Sequence, residues 1–545
     1  MICVDTLYWL FRISKLSRFN NLSHNTNTFM IINNLNRISH WIILSLCALT
    51  ILELIFFPDA ENIYGCFTFI VAWILLSRLI MNSECVHRSF VPFLAVSFLG
   101  LCFFFLPLPM TLVEGKPLTF RFQCPYSTFN YQLINLIMLI LALKLCNVVT
   151  LHGNFLTKIW SRIGYFSALS DKQIWMLGIM GIFCRVYMLT IMGTDSARAE
   201  NLGALGHMLS FMTAYSTFPI LLLFKNLYCP KDNTKTNIKP IILYSLVIFI
   251  LGLATGKRGS IFLYFTTIVS CFMIPYILDE KKINISKKAL LGIFFSFYLI
   301  TGPVVDIAMA MALGRDDSEQ TSSSKTLENI IDIYQDKEKL HTLYQLGLMQ
   351  TDNGGDNLSG WSEYYLDNIL LDRFCNLRVC DMTIDYAQKM GYENKIMQKY
   401  MSNQVLFLLP TPILNVLGIY VNKFELQYTP GDLISTEALN LSTQYHGYRV
   451  AGDVGIGLLL WGEMYFLYAF FIYFALFFFM SSLTKKDIYN QLTFPLPLLC
   501  GIFSYCLYFN NSVGIVRDVS LILRTGIQEI VLYCIVVFLL KRIVR

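Results

Sequence analysis

Long apolar runs recur along most of this chain, and one long polar stretch, Arg315 to about Asp453, interrupts them. A membrane-crossing helix needs about 20 predominantly apolar residues, and the runs have that length. They are continuous and do not alternate, which excludes a β-barrel. A polar insert between two such runs must fold on one face of the membrane. Every other segment then takes its orientation from that face.

Composition supports the same class. The hydrophobic fraction is 55 %, the charged fraction 14 % and the mean hydropathy +0.54. A soluble chain has no use for that much apolar surface, whereas lipid-facing helices do. The fold class expected is all-α, a polytopic membrane protein of about twelve spans. The first nine lie at roughly 41–57, 63–81, 90–113, 131–151, 174–193, 204–224, 239–255, 259–278 and 289–312. Three more follow the insert, at roughly 454–483, 491–509 and 526–541. The chain divides into a polar N-terminal segment (1–40), spans one to nine (41–313), the insert (314–453), and the last three spans with the tail (454–545). No internal repeat is visible.

Lysines and arginines set the orientation. Arg88, Lys158, Arg162, Lys172, Lys225, Lys231, Lys235, Lys281, Lys282, Lys287 and Lys288 fall in one set of loops. Lys485, Lys486, Lys541 and Arg542 join that set. The opposite short loops carry fewer: Lys116, Arg121, Arg198, Lys257, Arg258, Arg517 and Arg524. Both termini are therefore expected in the cytoplasm and the insert outside. Residues 405–421 are apolar but broken by Pro410 and Pro412, and read as interfacial rather than as a further span. Leu327 to Gln345 has apolar residues at helical spacing and is expected to lie on the membrane or pack on the spans.

The net charge of +6 is placed to orient the chain, so nucleic acid is not an expected partner. The fifteen cysteines lie mostly in apolar runs without metal-ligand spacing; Cys375 and Cys380 in the insert read as two free thiols or, in an oxidising compartment, as a pair. No nucleotide-binding loop, zinc-protease motif or nucleophile elbow appears, so no cofactor or metal is expected.

External cations are few, and each invites a reason. Arg258 sits in TGKRGS, where Gly256 and Gly259 let the backbone turn and Lys257 adds a second charge. A helix start follows, and a guanidinium clamps phosphate better than an ammonium, so this turn suits an anion. A snorkelling pair at an interhelical turn is the alternative. Arg198 has Asp195 and Glu200 beside it and reads equally as a surface ion-pair cluster. Arg315 opens the insert where it leaves the bilayer. Arg185 lies in the middle of a span, so it should face the bundle and have a partner.

His446, Arg449 and Asp453 precede the tenth span. They offer a general base and an anion ligand, or else ordinary loop polarity. Glu463 sits inside the apolar run LLLWGEMYFLYAFF, where a carboxylate should be buried, lining a cavity or facing a cation.

With twelve spans, one large external loop between late spans, TGKRGS at 255–260 and GEMYFLY at 462–468, the chain resembles the Wzy-type O-antigen polymerases. More broadly it is similar to membrane glycosyltransferases of the GT-C class, which include the O-antigen ligases. The motif residues that match are Arg258 and Glu463; the glycine that follows the glutamate in the family is missing here. The resemblance implies inverting glycosyl transfer at the periplasmic face of a bacterial inner membrane. Its donor and acceptor would be undecaprenyl-pyrophosphate-linked glycans, with a chain-length regulator and a flippase as partners. External arginines would hold the pyrophosphate, and Glu463 or His446 would take the acceptor proton. An O-antigen ligase and a lipid-linked oligosaccharide flippase or other transporter remain open alternatives.

Overall fold

A computed structural model describes residues 34–192, 203–229, 236–254, 258–278, 280–281, 306, 310, 331–336, 361, 363, 365–409, 411–419, 428–439, 449–487, 491–510 and 514–543. The described chain is all-α apart from a pair of two-residue strands, in which Lys485 pairs with Thr493. Seven of its helices are long and apolar enough to cross a membrane.

The N-terminal half is a bundle. Its members are α1 (Asn34–Phe56), α2 (Ala60–Leu79), α3 (Phe90–Phe104), α4 (Pro125–Val149), α5 (Asp171–Met192), α6 (Gly203–Thr213), α7 (Ile238–Ala254) and α8 (Arg258–Ile277). A 3-10 helix, Ala214–Phe224, continues α6. Its Pro219 lacks the N–H that a regular helix would use. Short helices follow in the region of the insert, among them α9 (Leu377–Met390), α10 (Lys395–Leu406), the six-residue Thr411–Val416 and α11 (Pro430–Leu439). The last part comprises α12 (Asp453–Trp461), α13 (Tyr465–Ser481), α14 (Leu496–Cys506), α15 (Ile515–Ser520) and α16 (Gly526–Ile543). A π-helical turn, Leu521–Thr525, joins the last two.

Helix ends sort into two groups by what they touch. At one end, Asn34 Nδ2 donates to the carbonyls of Tyr276 (3.0 Å) and Lys281 (2.7 Å), and Lys225 Nζ meets Asp171 Oδ2 at 2.7 Å. There too, Asn154 Nδ2 donates to Phe478 O (2.7 Å), and Phe494 N donates to Leu227 O (3.1 Å). At the other end, Leu118 N donates to Glu53 Oε1 (2.8 Å), Thr119 N to Asn62 Oδ1 (3.1 Å), and Lys116 Nζ meets Asp367 (2.7 Å). Short α9–α12 all belong to the second group and form a cap on that end.

The core joins the helices through large side chains; Trp73, Phe69, Phe104 and Phe129 are fully buried, with Phe69 edge-on to both Phe104 and Phe129. Trp73 Nε1 also donates to Phe104 O (3.0 Å), satisfying a carbonyl that the end of α3 leaves open. Along α1, Trp41, Leu44, Ile51, Ile55 and Phe56 point away from the protein, as a lipid-facing helix requires.

The expected tenth span coincides with the apolar helical stretch Asp453–Ser481. Gly462 interrupts it: it takes φ +56 and ψ −144, a backbone state open essentially to glycine, and separates α12 from α13. The apolar helix α14 has only 11 residues. The ninth span lies outside the described residues apart from Asp306 and Ala310. Of 405–421, the helix Thr411–Val416 is too short to cross a bilayer.

Candidate functional site

A buried carboxylate is among the groups that seat the cap on the bundle. Asp381 on α9 is fully buried and lies over the start of α4. Its Oδ2 accepts from Gln123 N (2.6 Å), and its Oδ1 accepts from Cys124 N (3.0 Å) and Thr128 Oγ1 (3.0 Å). Arg378 Nη1, one turn away, meets Oδ2 at 3.1 Å. A helix start presents unpaired N–H groups and partial positive charge, so a carboxylate from another segment serves there as a cap.

A second ionic group joins the cap to the last helices. Asp453 opens α12; its Oδ1 accepts from Gly514 N (3.0 Å), and its Oδ2 meets Arg517 Nη2 (3.3 Å). Arg517 Nε also approaches Asp518 Oδ1 (3.6 Å). Beside this group is a water-sized cavity lined by Gln132, Asn135, Cys380 and Asp453, too small for a sugar. Arg449 belongs to the cap: its backbone N donates to Asp432 Oδ1 (3.1 Å), and its guanidinium lies 3.7 Å from the same oxygen. Arg449 and Asp453 therefore serve different partners, although four residues separate them in the chain.

Glu463 does not fit the expectation of burial. The break at Gly462 turns it out of the apolar run onto the 3-10 turn Gly462–Met464, where it is exposed. It forms no hydrogen bond or ion pair among the described residues. Aromatic side chains surround this turn. Tyr131 stacks on Phe466 with centroids 5.8 Å apart, and its hydroxyl lies 3.3 Å from that of Tyr392. Trp461 packs against Tyr468 at 5.1 Å. Asn394 N donates to Leu459 O (2.7 Å) and Gln398 Nε2 to Leu460 O (2.8 Å), which fixes the end of α12 against the cap. The result is a carboxylate on an aromatic ledge, at the outer rim of the bundle.

Arg258 and Glu463 stand on helices with different neighbours. Arg258 is the first residue of α8, which packs on α7, α14 and the 3-10 helix, whereas α13 below Glu463 packs chiefly on α4 and α3. His446, Lys257, Arg198 and Arg315 lie outside the described residues. Cys375 and Cys380 are both buried and free. Among the described residues no cluster of His, Cys, Asp and Glu could hold a metal ion.

Some residues of interest escape the sequence reading. Asp381 and Arg378 stand three apart in LRVCD, a spacing that marks an ion pair but not its place over α4. Glu53 and Glu529 interrupt apolar runs just as Glu463 does, and the same signal points to them.

Burial pushes three cap carboxyls, Glu363, Asp372 and Asp381, above their ordinary range, Asp372 to about 6 from 3.8. A folded carboxyl that holds its proton more tightly than the unfolded chain contributes stability fully at low pH. That contribution is lost as pH rises from about 4 to about 6. Asp372 Oδ1 accepts from Tyr365 N (3.0 Å) and Leu366 N (2.9 Å), and an asparagine oxygen can accept both. Asp372→Asn is thus expected to flatten the pH dependence of thermal unfolding over this interval. An unchanged slope between pH 4 and 6 would remove Asp372 as its source.

No protein-family model, curated protein or solved structure matches this chain.

Proposed function

We propose that this chain is an O-antigen polymerase, joining undecaprenyl-pyrophosphate-linked repeat units into long glycans at the outer face of a bacterial inner membrane. In this reading the chain has about twelve spans, and the cap belongs to the periplasmic loop. The observation that carries the proposal is Glu463 on its aromatic ledge. Pyranose rings lay their C–H faces on aromatic side chains, and a carboxylate within reach can take a proton from a sugar hydroxyl.

In the transfer, the acceptor hydroxyl attacks the anomeric carbon of the donor glycan. The new glycosidic bond forms as the bond to undecaprenyl pyrophosphate breaks, and the hydroxyl proton passes to Glu463. The leaving pyrophosphate gains negative charge, so fixed cations help the transition state more than the ground state. Arg258 is the cation assigned to it. Arg517 is the weaker candidate, because Asp453 and Asp518 already share its guanidinium.

A ligase would use the same donor chemistry with lipid A core as acceptor. A transporter is the reading that the broken helices favour, since the Gly462 break and the π turn at Leu521–Thr525 are features of discontinuous membrane helices. The test is the purified protein in proteoliposomes with lipid-linked repeat units. Polymerase activity predicts glycan ladders and released undecaprenyl pyrophosphate without lipid A core. Translocation without a change in chain length would establish the transporter instead.

Arg258 adds a second check. Arg258→Ala is expected to slow extension by about 10²–10³, in line with loss of one transition-state donor. Arg258→Lys keeps the charge but loses the planar fork, and should also be badly impaired. Normal chain length from the lysine variant would make Arg258 a membrane-edge anchor.

A further inference from the structure

Arg185 has no hydrogen-bond or ion-pair partner among the described residues. Only 8 % of it is exposed, and its Nη1 is buried without a hydrogen bond. A mid-span arginine is expected to face the bundle and have a partner; it does face the bundle, and among the described residues no partner stands beside it.

Local packing explains its position. Gly178 and Gly181 let α5 lie directly on the 3-10 helix: an added Cβ would come within 2.3 Å of Pro219 Cγ and 2.2 Å of Ser216 N. One turn beyond Gly181, Arg185 is carried in beside Tyr244 of α7 and Tyr264 of α8. Both tyrosine hydroxyls donate to Ser216 O, at 2.8 Å and 2.6 Å. Their protons are used there, so neither tyrosine balances the guanidinium.

Depth follows from helix rise. Arg185 is 14 residues along α5 from Asp171, about 21 Å, and about 10 Å short of its far end. Tyr264 lies about 9 Å below the first residue of α8. The guanidinium is thus roughly two turns beneath that helix start, on the end of the bundle that carries the cap. Beside it, α7 presents Ile242, Leu246 and Phe249, and α8 presents Phe265, outward from the protein.

We infer that Arg185, where α5 comes beside Tyr244 of α7 and Tyr264 of α8, binds the phosphate group of a membrane lipid. A buried carboxyl can become neutral by taking a proton, but a guanidinium keeps its charge in proteins and must be balanced by an anion. No protein carboxylate supplies one among the described residues. The flanking surface is apolar and at membrane depth, which suits an anion delivered on a lipid anchor better than one from water. The planar fork matches phosphate oxygens. This assignment is independent of the glycosyl-transfer reading; a phospholipid and a polyprenyl phosphate are both sources of the group.

The experiment uses the full chain, delipidated in an uncharged maltoside detergent. Thermal unfolding is followed against added dioleoylphosphatidylglycerol, undecaprenyl phosphate, or oleate as a carboxylate control. Wild type is expected to gain stability with one or both phosphate lipids and not with oleate. In Arg185→Gln the half-saturating lipid concentration should rise at least about tenfold, the scale of one lost charge-assisted contact. Without lipid, that variant should be no less stable than wild type, since an unbalanced charge has been removed. Arg185→Lys should retain part of the response. Response to phosphatidylglycerol identifies a phospholipid site, and response to undecaprenyl phosphate alone identifies an isoprenoid one. The inference is overturned by equal lipid responses in wild type and Arg185→Gln, by an equal response to oleate, or by no response in wild type.

Discussion

Glu463→Gln is expected to abolish glycan extension while the protein remains in the membrane at its usual abundance. Two properties of the position combine here. The side chain is exposed on a short turn and has no hydrogen-bond or ion-pair partner among the described residues, so an amide of the same shape leaves nothing behind unsatisfied. Substitutions of that kind are usually within about 0.5 kcal/mol of neutral. The amide cannot accept the acceptor's proton, however, and general-base catalysis is worth about 10²–10⁴ in rate. The measurement is chain extension by the purified variant, with thermal unfolding alongside. Full activity would take the base away from Glu463 and move attention to His446. A loss of activity matched by a loss of folding would make Glu463 structural.

The opposite pattern is expected for Asp381→Ala, the largest stability effect in the molecule. Substitution removes the acceptor for two backbone N–H groups and a threonine hydroxyl at the start of α4. It also leaves the Arg378 guanidinium buried without its carboxylate. Breaking one side of a buried ion pair commonly costs about 3–5 kcal/mol. Asparagine should rescue little, because both carboxylate oxygens accept and the amide would turn an N–H towards a donor. Protease cleavage within residues 377–406 should rise in both variants, with their unfolding temperature lowered. Resistance equal to wild type would mean that apolar packing between cap and bundle holds the cap without this bond.

How far the sequence carries such an account depends on the range of each signal. Apolar runs declare membrane helices because lipid demands about 20 such residues in a row, a local requirement. A break inside a run is harder to see. Gly462 interrupts α12–α13 through a single left-handed backbone angle, and a glycine in an apolar helix is otherwise unremarked. It turns Glu463 out of the apolar run and leaves it exposed.

Long-range pairs were out of reach. Asp381 meets Gln123, Cys124 and Thr128, more than 250 residues away in the chain. Arg517 meets Asp453 across 64 positions. Each residue alone reads as surface polarity. Arg185 shows the converse: its burial was legible from its place in a span, but the lack of a partner among the described residues is a property of the packed helices. Arg258 and Glu463 were paired by motif resemblance, and the helices that carry them pack against different neighbours. A catalytic role for both requires the substrate to bridge that separation or the helices to move.

The central claim is polymerisation at the outer face, and the glycan ladder of a strain lacking this chain tests it most directly. Lipopolysaccharide from the deletion strain should carry a single repeat unit on the core and no long chains. Wild-type protein should restore the long chains, and Glu463→Gln at matched membrane abundance should not. A core bare of glycan would contradict the account in favour of a ligase or flippase, and an unchanged ladder would remove the chain from O-antigen assembly altogether.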